Sequence, residues 1–264
     1  MFYKKLLLIL SFVLLLTNNT VAKEERIIIA STTSTYDTGL LNYLHKSYNL
    51  KSKTKVHVIS LGTGQAIKLA ESRNADILIV HHTPSELQFI KEGYGILRHN
   101  LMFNDYILVG PKNDDGICNS INEFLLNIIK NKLTFISRSD DSGTHKKEIE
   151  LWNLLEENNK KDKSWYLESG QGMGKTLLIA NNKEAYTLSD RSTWMTFNQK
   201  NKLKIICEGK PPLINQYGII LVKNSINTEE AKKYVEWILS DVGKMLINNY
   251  KIDGQQLFFF NQKF

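Results

Sequence analysis

Two textures of apolar positions alternate along the chain: short unbroken apolar runs, and longer stretches in which apolar residues recur every three to four places. Arg26 to Ala30 (RIIIA) is the first short run and predicts a buried strand. The polar loop Ser31 to Asp37 follows, then a helical pattern with Leu40, Leu41, Leu44 and Tyr48 on one face. Val56 to Ser60 (VHVIS) repeats the plan, with the turn Leu61-Gly62-Thr63-Gly64 and a helix from Gln65 to about Ser72. Ala75 to Val80 (ADILIV) is a third strand. The second half does the same. Leu133 to Ser137 predicts a strand that runs into Arg138-Ser139-Asp140-Asp141-Ser142-Gly143-Thr144. A helix from about His145 should then turn Ile149, Leu151, Trp152 and Leu155 inward. Trp165 to Glu168 leads through Ser169-Gly170-Gln171-Gly172-Met173-Gly174 into another helix ending at Ala180. Strands alternating with helices imply an α/β fold with largely parallel sheets.

Two extended segments read as crossings between halves. Tyr106 to Gly110 precedes Pro111, and Tyr217 to Val222 follows Pro211-Pro212. A chain that leaves the first lobe near Pro111 and returns near Gln216 would have a double-stranded hinge. This divides the chain into residues 23–110 plus 216–264 as one lobe and 111–215 as the other. The pattern Ala231, Tyr234, Val235 and Ile238 predicts a buried face on a helix from Thr228 to Leu239, packed on the first lobe.

Composition adds a compartment. Lys4 and Lys5 precede an apolar run from Leu6 to Leu16, and Thr20 and Ala22 flank Val21 in the pattern cut by a signal peptidase. The run is shorter than the roughly 20 residues that span a bilayer, and no cysteine near Ala22 offers a lipid anchor. Residues 1–22 are therefore expected to be a signal peptide cleaved near Ala22, leaving a chain that diffuses in the periplasm. Without them the 34 basic and 27 acidic residues become 32 and 27, a net charge of +5. That mild excess suits attraction of anions and lacks the basic clusters of a nucleic-acid binder. Cys118 and Cys207 could be joined in an oxidising compartment or could be two unrelated buried thiols.

The chemistry lies in four strand-to-helix turns rich in Ser, Thr and Gly. A helix N-terminus presents unpaired N–H groups and partial positive charge to an anion. Hydroxyls add neutral donors, and open α/β sheets bind ligands at the carboxyl ends of their strands. Any single turn is explained as well by helix capping. Four of them in two halves, with Arg138 in one, point to a shared anion site. Arg138 could pair with Asp140 or Asp141, contact the anion, or do both.

At these turns the sequence resembles a known family. The runs STTSTYDTGLL (Ser31–Leu41), GTGQAIKLAE (Gly62–Glu71), FNDYILVGP (Phe103–Pro111), SRSDDSGTHKKEIELW (Ser137–Trp152), GQGMGKTL (Gly170–Leu177) and AYTLSDR (Ala185–Arg191) are similar to those of tungstate-binding components of bacterial ABC importers. The resemblance implies a two-lobed periplasmic binding protein fold, type II-like. It also implies a membrane permease and an ATPase as partners; the protein itself is expected to be a monomer without a cofactor. The bound species would be tungstate or molybdate, held as an oxyanion. Carried over residue by residue, it places Thr32, Thr33, Ser34 and Thr63 on one lobe against the ligand, and Arg138, Ser142, Gly143 and Thr144 on the other. Gln171 to Gly174 match the family pattern without a clear claim to the anion. The first run has Ser-Thr-Thr-Ser where the family usually has Thr-Thr-Thr-Ser, and Asn215-Gln216-Tyr217-Gly218 replaces a usual Asn-Pro-Tyr-Gly.

The Arg-x-Asp-x-Ser-Gly-Thr string also resembles phosphate-binding proteins, and sulfate is a further candidate for the same fold. Hydrogen phosphate needs a carboxylate to accept its proton. The strand Ala75 to Val80 ends instead in His81-His82, which could donate to a fully deprotonated ion or serve the loop. Other classes fit less well. Gly174-Lys175-Thr176 imitates a P-loop, but Ser169 occupies its first glycine position. Ser142 and His145 beside Asp140 and Asp141 could suggest an exported hydrolase, without the G-x-S-x-G elbow. The six histidines show no metal-ligand spacing. The expected activity is capture rather than catalysis.

Overall fold

The computed structural model describes residues 25–155, 164–209 and 211–260. The expected signal segment 1–22 lies outside them. In chain order the first lobe opens with β1 (Arg26–Thr32), α1 (Thr33–Asp37), α2 (Leu40–Asn49), β2 (Lys55–Leu61), α3 (Thr63–Glu71), β3 (Ile77–Val80) and α4 (Thr83–Lys91). A long strand, β4 (Gly95–Pro111), leads to α5 (Ile121–Asn131), β5 (Phe135–Ser137), α6 (Gly143–Asn153), β6 (Tyr166–Glu168) and α7 (Met173–Lys183). Next come β7 (Thr187–Asp190), α8 (Arg191–Thr196), β8 (Leu203–Cys207) and the returning strand β9 (Ile214–Val222). The chain closes with α9 (Thr228–Leu239), α10 (Asp241–Asn249), β10 (Lys251–Ile252), β11 (Gln255–Gln256) and β12 (Phe259–Phe260).

The runs of β1 and β3 are unbroken because the sheet is covered on both faces there, while β2 at its edge is only partly covered. In the first lobe, β1 lies parallel between β2 and β3, and β9 runs antiparallel beside β3. Ile27, Ile29, Ile77 and Ile79 pack on one face against Leu40, Leu41, Leu44, Tyr234 and Ile238. Ala30, Leu78 and Val80 pack on the other against Ala66, Ile67, Ala70 and Phe89. The expected apolar face of α9 is thus part of the first lobe's core. The second lobe repeats this arrangement. Tyr106, Leu108, Phe135 and Leu188 meet α5 through Ile121, Phe124, Leu125 and Ile128, while Ile107, Val109 and Ile136 meet α7 through Met173, Leu177 and Ala180.

The two lobes share β4. Its residues from Gly95 to Asp105 pair with β9, and from Tyr106 onward it pairs with β7 and β8. Asp105 lies opposite Ile214, where β9 begins. β4 thus exchanges its partner β9 for β7 and β8 between Asp105 and Tyr106, beside the start of β9. Cys118 and Cys207 form a disulfide over 89 residues, tying the segment before α5 to β8.

One expected core position is corrected. Ile149 is exposed at 36%, whereas Leu151 and Leu155 are buried. The inner face of α6 is set by its start at Gly143 and includes Glu148. That carboxyl accepts hydrogen bonds from Ser137 Oγ (2.9 Å), Trp152 Nε1 (3.1 Å) and Tyr166 Oη (2.6 Å). Burial pushes it up to about 7 against these donors.

Candidate functional site

Parallel register aligns the carboxyl ends of β1, β2 and β3. Thr32 lies opposite Leu61, and Ser31 opposite Ile79. The turns that follow, ending in Thr32-Thr33-Ser34, Gly62-Thr63 and His81, are therefore neighbours. Thr32 caps α1: its Oγ1 accepts from Thr35 N at 3.4 Å, lies 2.7 Å from Thr35 Oγ1 and stands 3.2 Å from Ser34 Oγ. Residues read as a polar loop thus form the last turn of a strand and a short helix. At α3 the cap is Gly62, with extended backbone and no side chain to bond the first amides. Those N–H groups keep their positive field for something else.

The second lobe contributes the segment after β5. Ser142 caps α6, its Oγ accepting from His145 N at 3.1 Å while its own N donates to Asp140 Oδ1 at 3.2 Å. Arg138 is 4% exposed and bonds Asp140 Oδ2 through Nε (3.1 Å) and Nη2. The ion pair read as an alternative role for Arg138 is therefore formed, with Asp140 rather than Asp141. Asp141 pairs with Lys146 at 3.1 Å.

These two sets of turns touch. A methyl group built on Gly143 would lie 2.6 Å from His81 Cε1, and one on Gly64 would lie 1.9 Å from Asp141 Oδ2. His82 Nε2 reaches Glu150 of α6 at 3.0 Å, and Lys146 Nζ stands 3.5 Å from Ser85 Oγ. The lobes are closed on one another. In this closed cleft three hydroxyls, Ser31 Oγ, Thr63 Oγ1 and Thr144 Oγ1, are buried with no hydrogen-bond partner among the described residues. Buried polar groups are nearly always paired, so three orphan hydroxyls around converging helix ends signal an absent acceptor.

The cross-lobe contacts set the turns that carry Thr32, Ser34 and Thr63 against those that carry Arg138, Ser142, Gly143 and Thr144. Thr33 is half-buried at the first position of α1. Gly170, Gln171, Gly172 and Gly174 are exposed and take no part in the buried cluster. His81 and His82 separate in role. His82 caps α4, with Nδ1 accepting from Ser85 N. His81 is buried, with Nδ1 at 2.9 Å from Tyr106 Oη and 3.0 Å from Asn215 Oδ1. The hydrolase grouping does not assemble: His145 Nδ1 accepts from Asp141 N rather than from Ser142. Sequence reasoning missed Ser31, a strand residue without a capping signature. It also missed the buried polar row Asn104, Asp190, Ser192 and Asn215. Part of that row was in view in FNDYILVGP and AYTLSDR, and Asn215 in the variant Asn-Gln-Tyr-Gly string.

A two-lobed α/β fold hinged on paired strands, with a donor-lined cleft at the strand ends, defines a solute-binding protein. The sequence matches the PBP superfamily domain over residues 17–242, and the chain belongs to that superfamily. Within it the chain belongs with the TupA tungstate-binding proteins. It is 42% identical over 228 residues to the tungstate-binding protein TupA of Peptoclostridium acidaminophilum, spanning 83% of this chain and 79% of that one. The solved tungstate-binding protein TupA from Desulfovibrio alaskensis G20 superposes with a TM-score of 0.80 at 34% identity, covering 90% of this chain and 100% of the other. The tungstate ABC transporter structure from Geobacter sulfurreducens gives 0.77 at 39% identity over 86% and 99%. The chain is a binding protein and not an enzyme.

Proposed function

We propose that the protein is the periplasmic receptor of an ABC importer, enclosing tungstate between its lobes and presenting the closed form to a permease and its ATPase. The observation that carries this reading is the set of partnerless buried hydroxyls, drawn from both lobes, beside the uncapped start of α3. On this reading Thr32, Thr33, Ser34 and Thr63 face the anion from residues 23–110 plus 216–264. Arg138, Ser142, Gly143 and Thr144 face it from residues 111–215, with the lobe exchange moved to Asp105 and Ile214. Ser31 joins them. The chain acts as a monomer after removal of a leader ending near Ala22.

Hydrogen bonds to a charged group contribute roughly 1.5–3 kcal/mol each. Six or seven of them, less the several kcal/mol lost on association and closure, support a micromolar to nanomolar dissociation constant. The carboxylates near the cluster are already committed, Asp140 to Arg138 and Ser142, and Asp190 to the start of α8. This favours an ion with no proton to donate. Calorimetric titration with tungstate, molybdate, sulfate and phosphate should give tightest binding to tungstate or molybdate. Displacement of bound tungstate by equimolar phosphate would overturn the choice of ligand.

Thr63→Val tests the orphan hydroxyls. The exchange keeps the shape and removes one donor, so tungstate affinity should fall about tenfold or more. The unliganded protein should melt no lower than the parent, because a desolvated hydroxyl without a partner is removed. A fall in melting temperature with unchanged affinity would make Thr63 a structural residue.

A further inference from the structure

A directional hydrogen-bond row runs through the hinge and ends at the cleft. Its fixed end is Asp190, whose carboxylate can only accept. Asp190 Oδ1 receives Ser192 Oγ at 2.5 Å and Thr193 N at 2.8 Å. With its hydrogen spent, Ser192 Oγ can only accept from Asn104 Nδ2, at 3.3 Å. That orients Asn104 so that its Oδ1 accepts from Asn215 Nδ2 at 2.7 Å. Asn215 then turns its Oδ1 to His81 Nδ1, which must carry the hydrogen between them. Asp190, Ser192, Asn104, Asn215 and His81 are all buried, so water does not scramble the order.

The consequence falls on the other nitrogen. A neutral imidazole has one hydrogen, and here it is on Nδ1, so Nε2 presents a lone pair. Nε2 lies 3.4 Å from Ser34 Oγ, inside the hydroxyl cluster, and Gly143 packs on the ring. A bare lone pair there repels an oxyanion and draws the Ser34 hydrogen away from it. A proton on Nε2 reverses both effects: it adds a positive charge and releases the Ser34 hydroxyl to donate. We propose that His81 takes up a proton on Nε2 as the oxyanion enters, and that the row from Asp190 selects which nitrogen receives it. This rests on the tungstate reading above and adds to it a coupled proton.

The surroundings fit such a switch. Burial holds the free imidazole down to about 4. Arg138 and His82 push in the same direction, while Asp190 and the Asn215 hydrogen bond oppose them. The rings of Tyr106 and Tyr217 complete the lining. A dianion entering the cleft adds the strongest upward push, so the ring is neutral when empty and charged when filled. Below the empty-state value both forms are protonated. Between that value and the filled one, affinity falls as pH rises, because the proton must be taken from a scarcer supply.

The test is titration of the purified protein with micromolar tungstate at pH 6 in two buffers of contrasting ionisation enthalpy, repeated at pH 8. The buffer dependence should report uptake approaching one proton per tungstate at pH 6, and the dissociation constant should be about tenfold weaker or more at pH 8. His82→Gln should keep the uptake, and His81→Gln should bind without it. Tight tungstate binding with no proton exchanged and no pH dependence overturns the proposal. So does uptake that survives His81→Gln. Failure to bind tungstate at either pH would instead overturn the ligand reading, and this inference with it.

Discussion

Gly143→Ala should weaken tungstate binding by at least a hundredfold, about 2.7 kcal/mol, while leaving the melting temperature of the unliganded protein nearly unchanged. The added methyl would stand 2.6 Å from Cε1, 2.8 Å from Nδ1 and 3.0 Å from Nε2 of His81. That ring cannot give way cheaply. Its Nδ1 is held by Tyr106 and Asn215, and its face lies against Tyr217 with centroids 4.9 Å apart. Gly143 belongs to the second lobe and His81 to the first, so the collision arises only on closure. Each lobe alone loses nothing. Gly64→Ala is the control, and it shows why distance alone does not decide. Its methyl would come nearer still, 1.9 Å from Asp141 Oδ2, but that carboxylate belongs to a side chain 66% exposed and paired with Lys146 at the surface. It can swing into solvent, so the loss should be far smaller. Calorimetry with small-angle scattering checks both variants. Gly143→Ala should remain extended in saturating tungstate, and normal closure with parental affinity would refute the wedge.

The apolar runs made the fold legible because the central strands are covered on both faces, whereas β2 at the sheet edge stays partly exposed. RIIIA and ADILIV could be placed without knowing what covers them. β4 was read only in its second half. Its first half, Gly95 to Asn104, includes Arg98, His99 and Asn100 and lacks the alternation that marks a strand. Pairing with β9 holds it extended regardless. The cleft was legible for a different reason. Caps and anion donors use the same residue types, and at Thr32 and Ser142 the side chain is a cap beside the cluster. What a linear reading cannot reach is who is left over. Ser31, Thr63 and Thr144 resemble any other small polar residues until the structure removes every local partner. The row from Asp190 to His81 joins residues far apart in sequence through two crossing strands, so neither its order nor its polarity can be read from spacing.

Arg138→Ala should lower tungstate affinity by at least tenfold, about 1.4 kcal/mol, and by more than the loss of one contact. A guanidinium has five N–H donors in a planar fork, and Asp140 takes those of Nε and Nη2. Asp140 in turn accepts Ser142 N, so the acid fixes the fork and ties it to the start of α6. The side chain of Arg138 is 5% exposed and that of Asp140 19%, which makes the pair costly to split. Removing the arginine does two things at once. It deletes a charge-assisted donor, and it leaves a carboxylate facing an arriving dianion. Arg138→Lys should recover the charge but only part of the affinity, since a single ammonium cannot hold Asp140 through two nitrogens and still point at the ligand. The double variant Arg138→Ala with Asp140→Asn separates the two losses. It should bind more tightly than Arg138→Ala alone, because the unbalanced negative charge is gone. Equal affinities for the two would mean that Asp140 exerts no repulsion, and parental affinity in Arg138→Ala would remove the guanidinium from the site.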